Sequence, residues 1–495
     1  MNQKIRYLSI AAILCFVLLF AQLTRVHLIQ RDQLQDNPNN TRSIVREFSK
    51  ERGSIETTDG FIIAESQEVQ NELKFQRHYP FGDLYAHITG YFSFLYGSEG
   101  LERTYSDHLS GKNKDTPTNI TTTLVHAIQM KVKETLGERN GSVVVLNPST
   151  GEILALWTYP SYDPNPISSA NVDIVREDWE RLSTIANAND PRLARTYREI
   201  YFPGSTFKII TAAAALRNGL ATLTEPEFEN RTEYIPPLTD VPIQNYAGGS
   251  CGGDILEGLR FSCNSTFAEL AAEVIGAERM IETAEAFGFN TKIPIDLPVP
   301  AISVYPNDFG DKITGIDSSL QVPLLENTPG LAQTGIGQFD VKATPLQMAL
   351  VAAAIANDGL IMKPYVMQSL LTQNGNVIRT TEPSVWRSAL PSDIARSLKM
   401  AMINVVANGT ATRMFIPQVE IGGKTGTAQI DASRPDDTHG WIVGYAGPQD
   451  GEATLAISVI LESVPGEGQL TGGTDAAPVA KIVLTEALRA LGILE

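Results

Sequence analysis

The chain begins with an apolar segment long enough to cross a membrane. Residues 7–24 carry no charged side chain, and Lys4 and Arg6 come just before them. At ~1.5 Å per residue the segment roughly matches a hydrocarbon core of ~30 Å. Because no small-x-small cleavage site follows, we expect an uncleaved anchor rather than a signal peptide. The basic tail favours a cytoplasmic segment over residues 1–6, a transmembrane helix over 7–24 and an extracytoplasmic remainder.

A hairpin signal and a polar linker follow the anchor. Asp59-Gly60 lies between apolar residues, a pattern typical of a two-residue β-turn. The stretch Gly111–Pro117 is polar and rich in turn residues, which predicts an interdomain link. We therefore expect an amino-terminal pedestal domain with its linker over residues 25–140, and a second domain over 141–495.

Hydrophobic periodicity in the rest of the chain predicts helices and strands in a mixed order. The expected helices are Val125–Leu136, Phe207–Leu216, Phe267–Ile275, Pro345–Ala356 and Ala476–Leu491. The expected strands are Ser142–Leu146, Ile153–Trp157, Ile421–Gln429, Trp441–Tyr445 and Thr454–Leu461. This order predicts an α/β (α+β) fold, in which helices flank an antiparallel sheet of about five strands and a helical lobe lies on one side.

Composition narrows the possible functions. The 495 residues include 39 Lys and Arg against 56 Asp and Glu, which gives a formal net charge of −17. Such a charge argues against nucleic acid as a partner, because phosphate binding needs a basic surface. Three cysteines and six histidines show no metal-ligand spacing, so we expect neither a metal nor a cofactor.

A candidate nucleophile follows Pro203-Gly204. An apolar helix is predicted to begin there, so Ser205 and Lys208 would lie on one face of its first turn. A serine needs a base, and a lysine can act as one when burial or another cation lowers its pKa. Alone, the S-x-x-K pattern is more often a capping serine with a surface lysine.

A second pattern, Ser262-Cys263-Asn264, precedes a predicted helix. Serine and asparagine are common helix caps, so this segment taken by itself indicates an ordinary helix start. In partnership with Ser205 it could supply a hydroxyl for proton transfer and an amide that orients a substrate.

A third pattern, Lys424-Thr425-Gly426-Thr427, lies on a predicted strand. A phosphate loop would require glycine five residues before Gly423, where the chain has Gln418. A lysine followed by hydroxyl groups is suited instead to a carboxylate. The alternative is a polar edge strand that resists aggregation.

One further motif is a competing candidate. Residues 248–252 match G-x-S-x-G, the nucleophile elbow of α/β-hydrolases, with Ser250 at its centre. That elbow needs a buried strand before it, and residues 244–247 do not form a strand pattern. We expect a glycine loop here.

Taken together and in this order, the three patterns resemble the active-site set of penicillin-binding proteins and serine β-lactamases. Flanking segments make the chain similar to class B penicillin-binding proteins along nearly its whole length. These segments are Gly100–Glu102, Gly151–Ala155, Pro160–Asn165, Pro203–Lys208, Gly335–Gln338, Thr344–Ala349 and Gly423–Ala428. One departure is Glu56–Gly60, where the family usually has Asp-Arg.

The resemblance implies a penicillin-binding transpeptidase fold and a role for each motif residue. Ser205 would be the acylated nucleophile, Lys208 its general base, and Ser262 a proton relay to the leaving D-alanine. The residues implied in substrate binding are Asn264, Lys424, Thr425, Gly426 and Thr427. Asn264 would hold the donor peptide and Lys208, Lys424 would keep the site electropositive, and the threonines would bind the terminal carboxylate. Backbone N–H groups of Ser205 and Thr427 would form the oxyanion hole.

The implied activity is that of a serine D,D-transpeptidase that crosslinks peptidoglycan stem peptides and is inhibited by β-lactams. The implied partners are a D-Ala-D-Ala donor, an amine acceptor and a membrane glycan polymerase, at a bacterial cell membrane. The alternatives are a D,D-carboxypeptidase or β-lactamase on the same site, and a β-lactam sensor or scaffold without turnover. The β-lactamase element Glu-x-Glu-Leu-Asn is not found, which argues against a β-lactamase, and all three motifs are intact, which argues against a scaffold without turnover.

The cysteines allow one further hypothesis. Cys251 and Cys263 would both lie outside the cell, where a disulfide between them would hold the glycine loop beside the motif residues. Two buried thiols are the alternative. Cys15 is expected to be an apolar residue of the anchor.

Overall fold

The computed structural model describes residues 2–26, 45, 47–71, 73–112, 116–185, 189–313, 322–431, 434–449, 451–464 and 468–495. Its strands are β1 Ile55–Glu56, β2 Ile62–Glu68, β3 Phe75–His78, β4 Phe92–Ser93, β5 Gly97–Ser98, β6 Thr118–Thr122, β7 Gly141–Leu146, β8 Ile153–Tyr159, β9 Phe228–Arg231, β10 Glu233–Tyr234, β11 Ile243–Gln244, β12 Cys251–Gly253, β13 Leu360–Met362, β14 Met367–Thr372, β15 Val377–Thr380, β16 Val385–Ser388, β17 Val419–Asp431, β18 Arg434–Pro448 and β19 Leu455–Leu461.

The helices are α1 Asn2–Thr24, α2 Ala86–Thr89, α3 Gly100–Thr104, α4 Ser106–Leu109, α5 His126–Leu136, α6 Pro164–Ile167, α7 Val172–Ser183, α8 Arg195–Arg198, α9 Lys208–Arg217, α10 Ile255–Phe261, α11 Asn264–Glu269, α12 Ala277–Ala286, α13 Thr328–Thr334, α14 Pro345–Ala356, α15 Ser392–Asn408 and α16 Ala477–Ala490. Short 3₁₀ helices cover Gly82–Tyr85, Gly204–Phe207, Tyr246–Gly248 and Thr412–Met414, and π-helices cover Leu270–Ile275 and Gly472–Ala476.

The predicted five-stranded sheet is present, with the order β17-β18-β19-β7-β8 and antiparallel pairing throughout. Every residue of β19 is buried, which requires cover on both faces of the sheet. Helices α14 and α16 both pack against this strand, and α15 packs against β17. The predicted fold class, helices flanking an antiparallel sheet, is confirmed.

Helix α14 shows how composition determines burial. Its sequence is apolar on all sides, and each residue from Pro345 to Ile355 is buried. A helix that is hydrophobic all round belongs inside a protein rather than on its surface. The side chain of Thr344 caps its start by accepting a hydrogen bond from the Gln347 N–H.

The amino-terminal sheet combines strands from distant parts of the chain. Its order is β15-β14-β6-β1-β2-β3. The hairpin predicted around Asp59-Gly60 forms from β1 and β2, which pair antiparallel. Strands β14 and β15, from residues 367–380, extend the same sheet beyond β6. The sequence did not predict these two strands. It also did not predict the two-stranded pairs β9–β12, β10–β11 and β13–β16, because short exposed strands carry little periodicity.

A buried charge cluster lies in the amino-terminal region. The carboxylate of Glu102, which is fully buried, contacts Arg52 Nε at 2.6 Å and Arg77 Nε at 2.5 Å. Burial alone would raise the pKa of Glu102, but the two guanidinium groups lower it below its ordinary value. The carboxylate therefore stays charged and joins β3, α3 and the segment before β1.

The amino-terminal helix α1 is exposed along its apolar length. Residues Gln3–Thr24 are long and apolar enough to cross a membrane, as judged by length and composition. The predicted span 7–24 lies within this helix.

Candidate active site

The candidate nucleophile lies on a tight turn rather than in a regular helix. Ser205 is part of the 3₁₀ helix Gly204–Phe207, and α9 begins only at Lys208. The prediction that both residues lie in the first turn of one helix was therefore wrong in detail. Because three residues complete one turn of a 3₁₀ helix, Ser205 and Lys208 still lie on the same side.

Glycines allow this turn to approach its neighbours. Gly204 has φ 53°, and its N–H donates to the Gly337 carbonyl at 3.0 Å. A side chain at Gly204 would lie 2.9 Å from the Thr427 carbonyl, and one at Gly426 would lie 2.9 Å from the Pro203 carbonyl. Glycine at these positions therefore brings the turn directly against strand β17.

Lys208 contacts the proposed nucleophile and the S-x-N segment at once. Its Nζ lies 3.0 Å from Ser205 Oγ, 2.6 Å from the Ser262 carbonyl and 2.7 Å from Asn264 Oδ1. The side chain is fully buried, and burial followed by the nearby Lys424 lowers the pKa of Lys208 well below its ordinary value. A neutral amine has a lone pair that can accept the Ser205 proton, as a general base requires.

The S-x-N segment joins two helices. Ser262 ends α10 in a left-handed conformation, with φ 61° and ψ 41°, and α11 begins at Asn264. This bend presents the Ser262 hydroxyl and the Asn264 amide to the same lysine. Asn264 Nδ2 also donates to the Gln244 carbonyl at 2.8 Å, which fixes the orientation of the amide.

Lys424 lies on β17 and is fully buried. Its Nζ donates to Ser262 Oγ at 2.8 Å and to the Thr425 carbonyl at 2.9 Å. Burial lowers its pKa to about 7. The lowered pKa favours the neutral form of this amine, and the electropositive role predicted for Lys424 stays a prediction.

The motif residues surround one cavity of about 820 Å³. Ser205, Ser262, Asn264, Thr425 and Thr427 line it, while Lys208 and Lys424 are buried in its walls. Alternate residues of one face of β17 point into the cavity, since Thr425, Thr427 and Gln429 all line it. Three segments remote in sequence thus bring a hydroxyl, two amines and a threonine pair to one place.

Several cavity residues were missed from the sequence. Thr410, Thr412, Arg413, Thr471 and Thr474 line the cavity on the β17 side. The Thr410 and Thr425 hydroxyl oxygens lie 2.6 Å apart. These residues follow a long helix or precede α16 and form no local motif, so nothing in the sequence separates them from ordinary loop residues.

The structure answers two questions that the sequence left open. Cys251 and Cys263 form a disulfide that joins β12 to the S-x-N segment, and Cys15 is an exposed free cysteine on α1. The competing Ser250 is exposed, and the 3₁₀ helix Tyr246–Gly248 precedes it rather than a buried strand. The elbow interpretation was therefore correctly rejected. Within the described residues, no group of three or more His, Cys, Asp or Glu is placed to hold a metal ion.

Comparison with protein-family models gave two matches. A penicillin binding protein transpeptidase domain model matches residues 141–485, and a penicillin binding protein A dimerisation domain model matches residues 52–133. The first match covers well over half of the chain.

Curated relatives match the chain over its full length. Peptidoglycan D,D-transpeptidase PbpA of Mycolicibacterium smegmatis is 34% identical and covers 99% of both chains. The protein of the same name from Mycobacterium tuberculosis is 33% identical with the same coverage. Stage V sporulation protein D of Bacillus subtilis is 27% identical and covers 94% of this chain and 71% of its own.

Solved structures show the same similarity. The ceftriaxone acyl-enzyme complex of penicillin-binding protein A from M. tuberculosis superposes with a TM-score of 0.79 at 32% identity, over 90% of this chain and 100% of that one. Penicillin-binding protein 2 of Pseudomonas aeruginosa, in complex with WCK 5153, gives 0.72 at 26% identity, over 88% and 95%.

Proposed function

The chain belongs to the family of penicillin-binding protein transpeptidases, as its motifs predict. We propose that it crosslinks peptidoglycan stem peptides through an acyl-enzyme at Ser205. The single observation that carries the choice of nucleophile is the 3.0 Å contact between Ser205 Oγ and the buried amine of Lys208. It pairs a hydroxyl with a base whose pKa is lowered, at the wall of an open cavity.

The first step is acylation. Lys208 accepts the Ser205 proton as the oxygen attacks the carbonyl of the penultimate D-alanine of a donor stem peptide. The oxyanion is held by the backbone N–H groups of Ser205 and Thr427. Ser262 lies 3.4 Å from Lys208 Nζ and 2.8 Å from Lys424 Nζ, a position from which it can pass the proton to the leaving D-alanine amine.

The second step is transfer to an acceptor. An amine of a neighbouring stem peptide attacks the ester carbonyl, Lys208 takes a proton from that amine, and the Ser205 hydroxyl is restored. Thr425 and Thr427 hold the donor's terminal carboxylate before it leaves, while Asn264 orients the donor amide. A β-lactam that opens on Ser205 leaves an ester that water removes only slowly, and this accounts for covalent inhibition.

We also propose a location and a partner. The helix Gln3–Thr24 would anchor the chain in the cell membrane with the catalytic domain outside, where stem peptides are exposed. A membrane glycan polymerase working beside it would supply the new strands, because crosslinking requires strands that have not yet been joined.

The nucleophile is tested by labelling the full chain with a fluorescent penicillin. We expect wild type and Ser250→Ala to label equally and Ser205→Ala to lose the label. Peptide mapping should place the adduct on Ser205. The label should also be hydrolysed from the protein much more slowly than a β-lactamase hydrolyses its acyl-enzyme.

Loss of label in Ser250→Ala alone would contradict the choice of nucleophile. Rapid hydrolysis of the label from Ser205 would indicate a β-lactamase and contradict the transpeptidase proposal.

A further inference from the structure

The cavity that holds Ser205 has an uneven charge distribution. Of the described residues that line it, Arg413 alone carries a charged side chain, and none is an aspartate or glutamate. The chain as a whole has a net charge of −17. The cavity therefore carries a positive side chain, which would attract an anionic substrate, although the protein as a whole is acidic.

Arg413 belongs to the same wall as the threonines of β17. It lies in the 3₁₀ helix Thr412–Met414, and its Nη1 donates to the Thr474 carbonyl at 3.1 Å. Gly473, next to Thr474, lies against Thr410 and Thr425: a side chain built there would be 2.7 Å from the Thr410 carbonyl and 3.9 Å from the Thr425 methyl group. Arg413 and Thr425 therefore belong to the same wall of the cavity, joined through Gly473 and Thr474.

This wall is rich in hydroxyl groups. Seven threonines line the cavity: Thr410, Thr412, Thr425, Thr427, Thr438, Thr471 and Thr474. Hydroxyl donors beside a guanidinium suit an anion with oxygen acceptors, such as a carboxylate. Among the described residues, no carboxylate forms an ion pair with Arg413. Arg413 is exposed, so its other N–H groups are accessible to a ligand.

The two lysines cannot supply the same attraction. Both are fully buried, and Lys424 directs its ammonium group to Ser262 and to its own chain rather than into the cavity. With its pKa lowered to about 7, Lys424 is only partly charged at neutral pH. An arginine keeps its charge throughout the working range of pH.

We infer that Arg413 is a specificity residue of the donor site, and that its guanidinium selects donors whose terminal group is a free carboxylate. This inference rests on the proposed function, since it concerns the donor of that same reaction. The substrate class is a peptide or β-lactam with an anionic carboxylate next to the bond that Ser205 attacks. Uncharged esters or amides of the same compounds would lose the charge that Arg413 attracts, while their carbonyl oxygen could still accept hydrogen bonds from the threonines.

The test compares benzylpenicillin with its uncharged methyl ester on the full chain. Second-order acylation rates are measured for wild type, Arg413→Gln and Arg413→Lys. A hydrogen bond to a charged group in a partly exposed site corresponds to roughly a 10-fold rate effect. We expect Arg413→Gln to acylate about 10-fold more slowly with benzylpenicillin and at an unchanged rate with the ester, and Arg413→Lys to lie between wild type and Arg413→Gln.

The matched control is Arg396→Gln. Arg396 is an exposed arginine on α15 whose Nε lies 3.5 Å from Asp358 Oδ1, and it is not part of the cavity. Its substitution removes the same charge and should leave both rates unchanged. If Arg413→Gln is acylated more slowly by benzylpenicillin and by its methyl ester to the same extent, Arg413 has a structural role. If neither rate falls, Arg413 does not contact the substrate. Both results overturn the inference while wild-type acylation at Ser205 stands. A wild type that benzylpenicillin does not acylate at Ser205 would instead overturn the proposed function.

Discussion

Lys424 and Ser262 are 162 residues apart in sequence, yet the lysine Nζ donates to the serine hydroxyl at 2.8 Å. The same hydroxyl lies 3.4 Å from Lys208 Nζ, so it stands between two buried amines. Two like charges this close in a buried site disfavour each other. The lysine of the β17 strand therefore helps to keep the proposed base neutral, in addition to any contact it makes with a substrate.

Removal of the proposed base should stop acylation. Lys208→Ala leaves Ser205 without a proton acceptor, and general base catalysis contributes roughly 10²–10⁴-fold. We expect labelling by a fluorescent penicillin to fall by at least that lower factor while the circular dichroism spectrum is retained. Lys481→Ala, which removes an exposed lysine on α16, is the control and should label normally. Brisk labelling of Lys208→Ala would show that another group is the base.

Removal of the second lysine should change the pH dependence. Burial first, and then the charge of Lys424, lower the pKa of Lys208. Lys424→Gln abolishes the second cause, so the pKa of Lys208 rises and its neutral form appears at higher pH. The acid limb of the acylation rate against pH should move to higher pH than in wild type. A limb that stays in place, or moves to lower pH, would show that the two amines do not interact in this way.

A methyl group at Gly337 should displace the nucleophile. The residue has φ 72°, and a Cβ there would lie 2.1 Å from the Gly204 carbonyl, immediately before Ser205. A misplacement of about 1 Å can cost roughly 10²-fold in rate, and we expect a loss of this order in Gly337→Ala. Gly375→Ala is the matched control: its φ is 80° but nothing lies within 4 Å of its Cβ. If Gly337→Ala acylates as fast as Gly375→Ala, the close contact with Gly204 does not position the nucleophile, and the prediction is wrong.

The disulfide should stabilise the loop beside the site. Cys251 and Cys263 are 12 residues apart, and closing a loop of about that length contributes roughly 2–3 kcal/mol in the chain-entropy model. Cys251→Ser should therefore lower the thermal unfolding midpoint. Acylation should also slow, because Cys263 directly precedes Asn264, whose amide contacts Lys208 and the Gln244 carbonyl. Cys15→Ser, which removes the free cysteine of α1, should change neither property.

The buried carboxylate of Glu102 should be needed for stability. Glu102→Gln leaves the buried guanidinium of Arg77 without its counter-charge and leaves Arg52 with only the more exposed Glu47, 3.6 Å away. Breaking such a buried cluster costs about 3–5 kcal/mol. Glu99→Gln also breaks contacts with arginines, but these are partly exposed and should cost no more than ~1 kcal/mol. Thermal unfolding of both variants measures the difference. Equal midpoints would mean that the cluster adds nothing beyond a surface pair.

The sequence by itself determined the local features of this protein. Helix α14 has the bounds that its apolar run predicts, and the hairpin at Asp59-Gly60 forms as its turn residues indicate. The spacing of Ser205 and Lys208, and the order of the three motifs, were sufficient to predict the family. Such features depend on windows of a few residues, in which side-chain periodicity and turn chemistry act directly.

Only the tertiary structure decided which distant residues meet. Strands β14 and β15 join a sheet whose other strands all precede residue 123, Thr410 contacts Thr425, and Arg413 lines the cavity of Ser205. No local pattern records these contacts, because they arise when the whole core packs and strands pair across long loops. The same packing buries Lys208 and Lys424, and it is this burial that turns two ordinary lysines into groups able to take part in proton transfer.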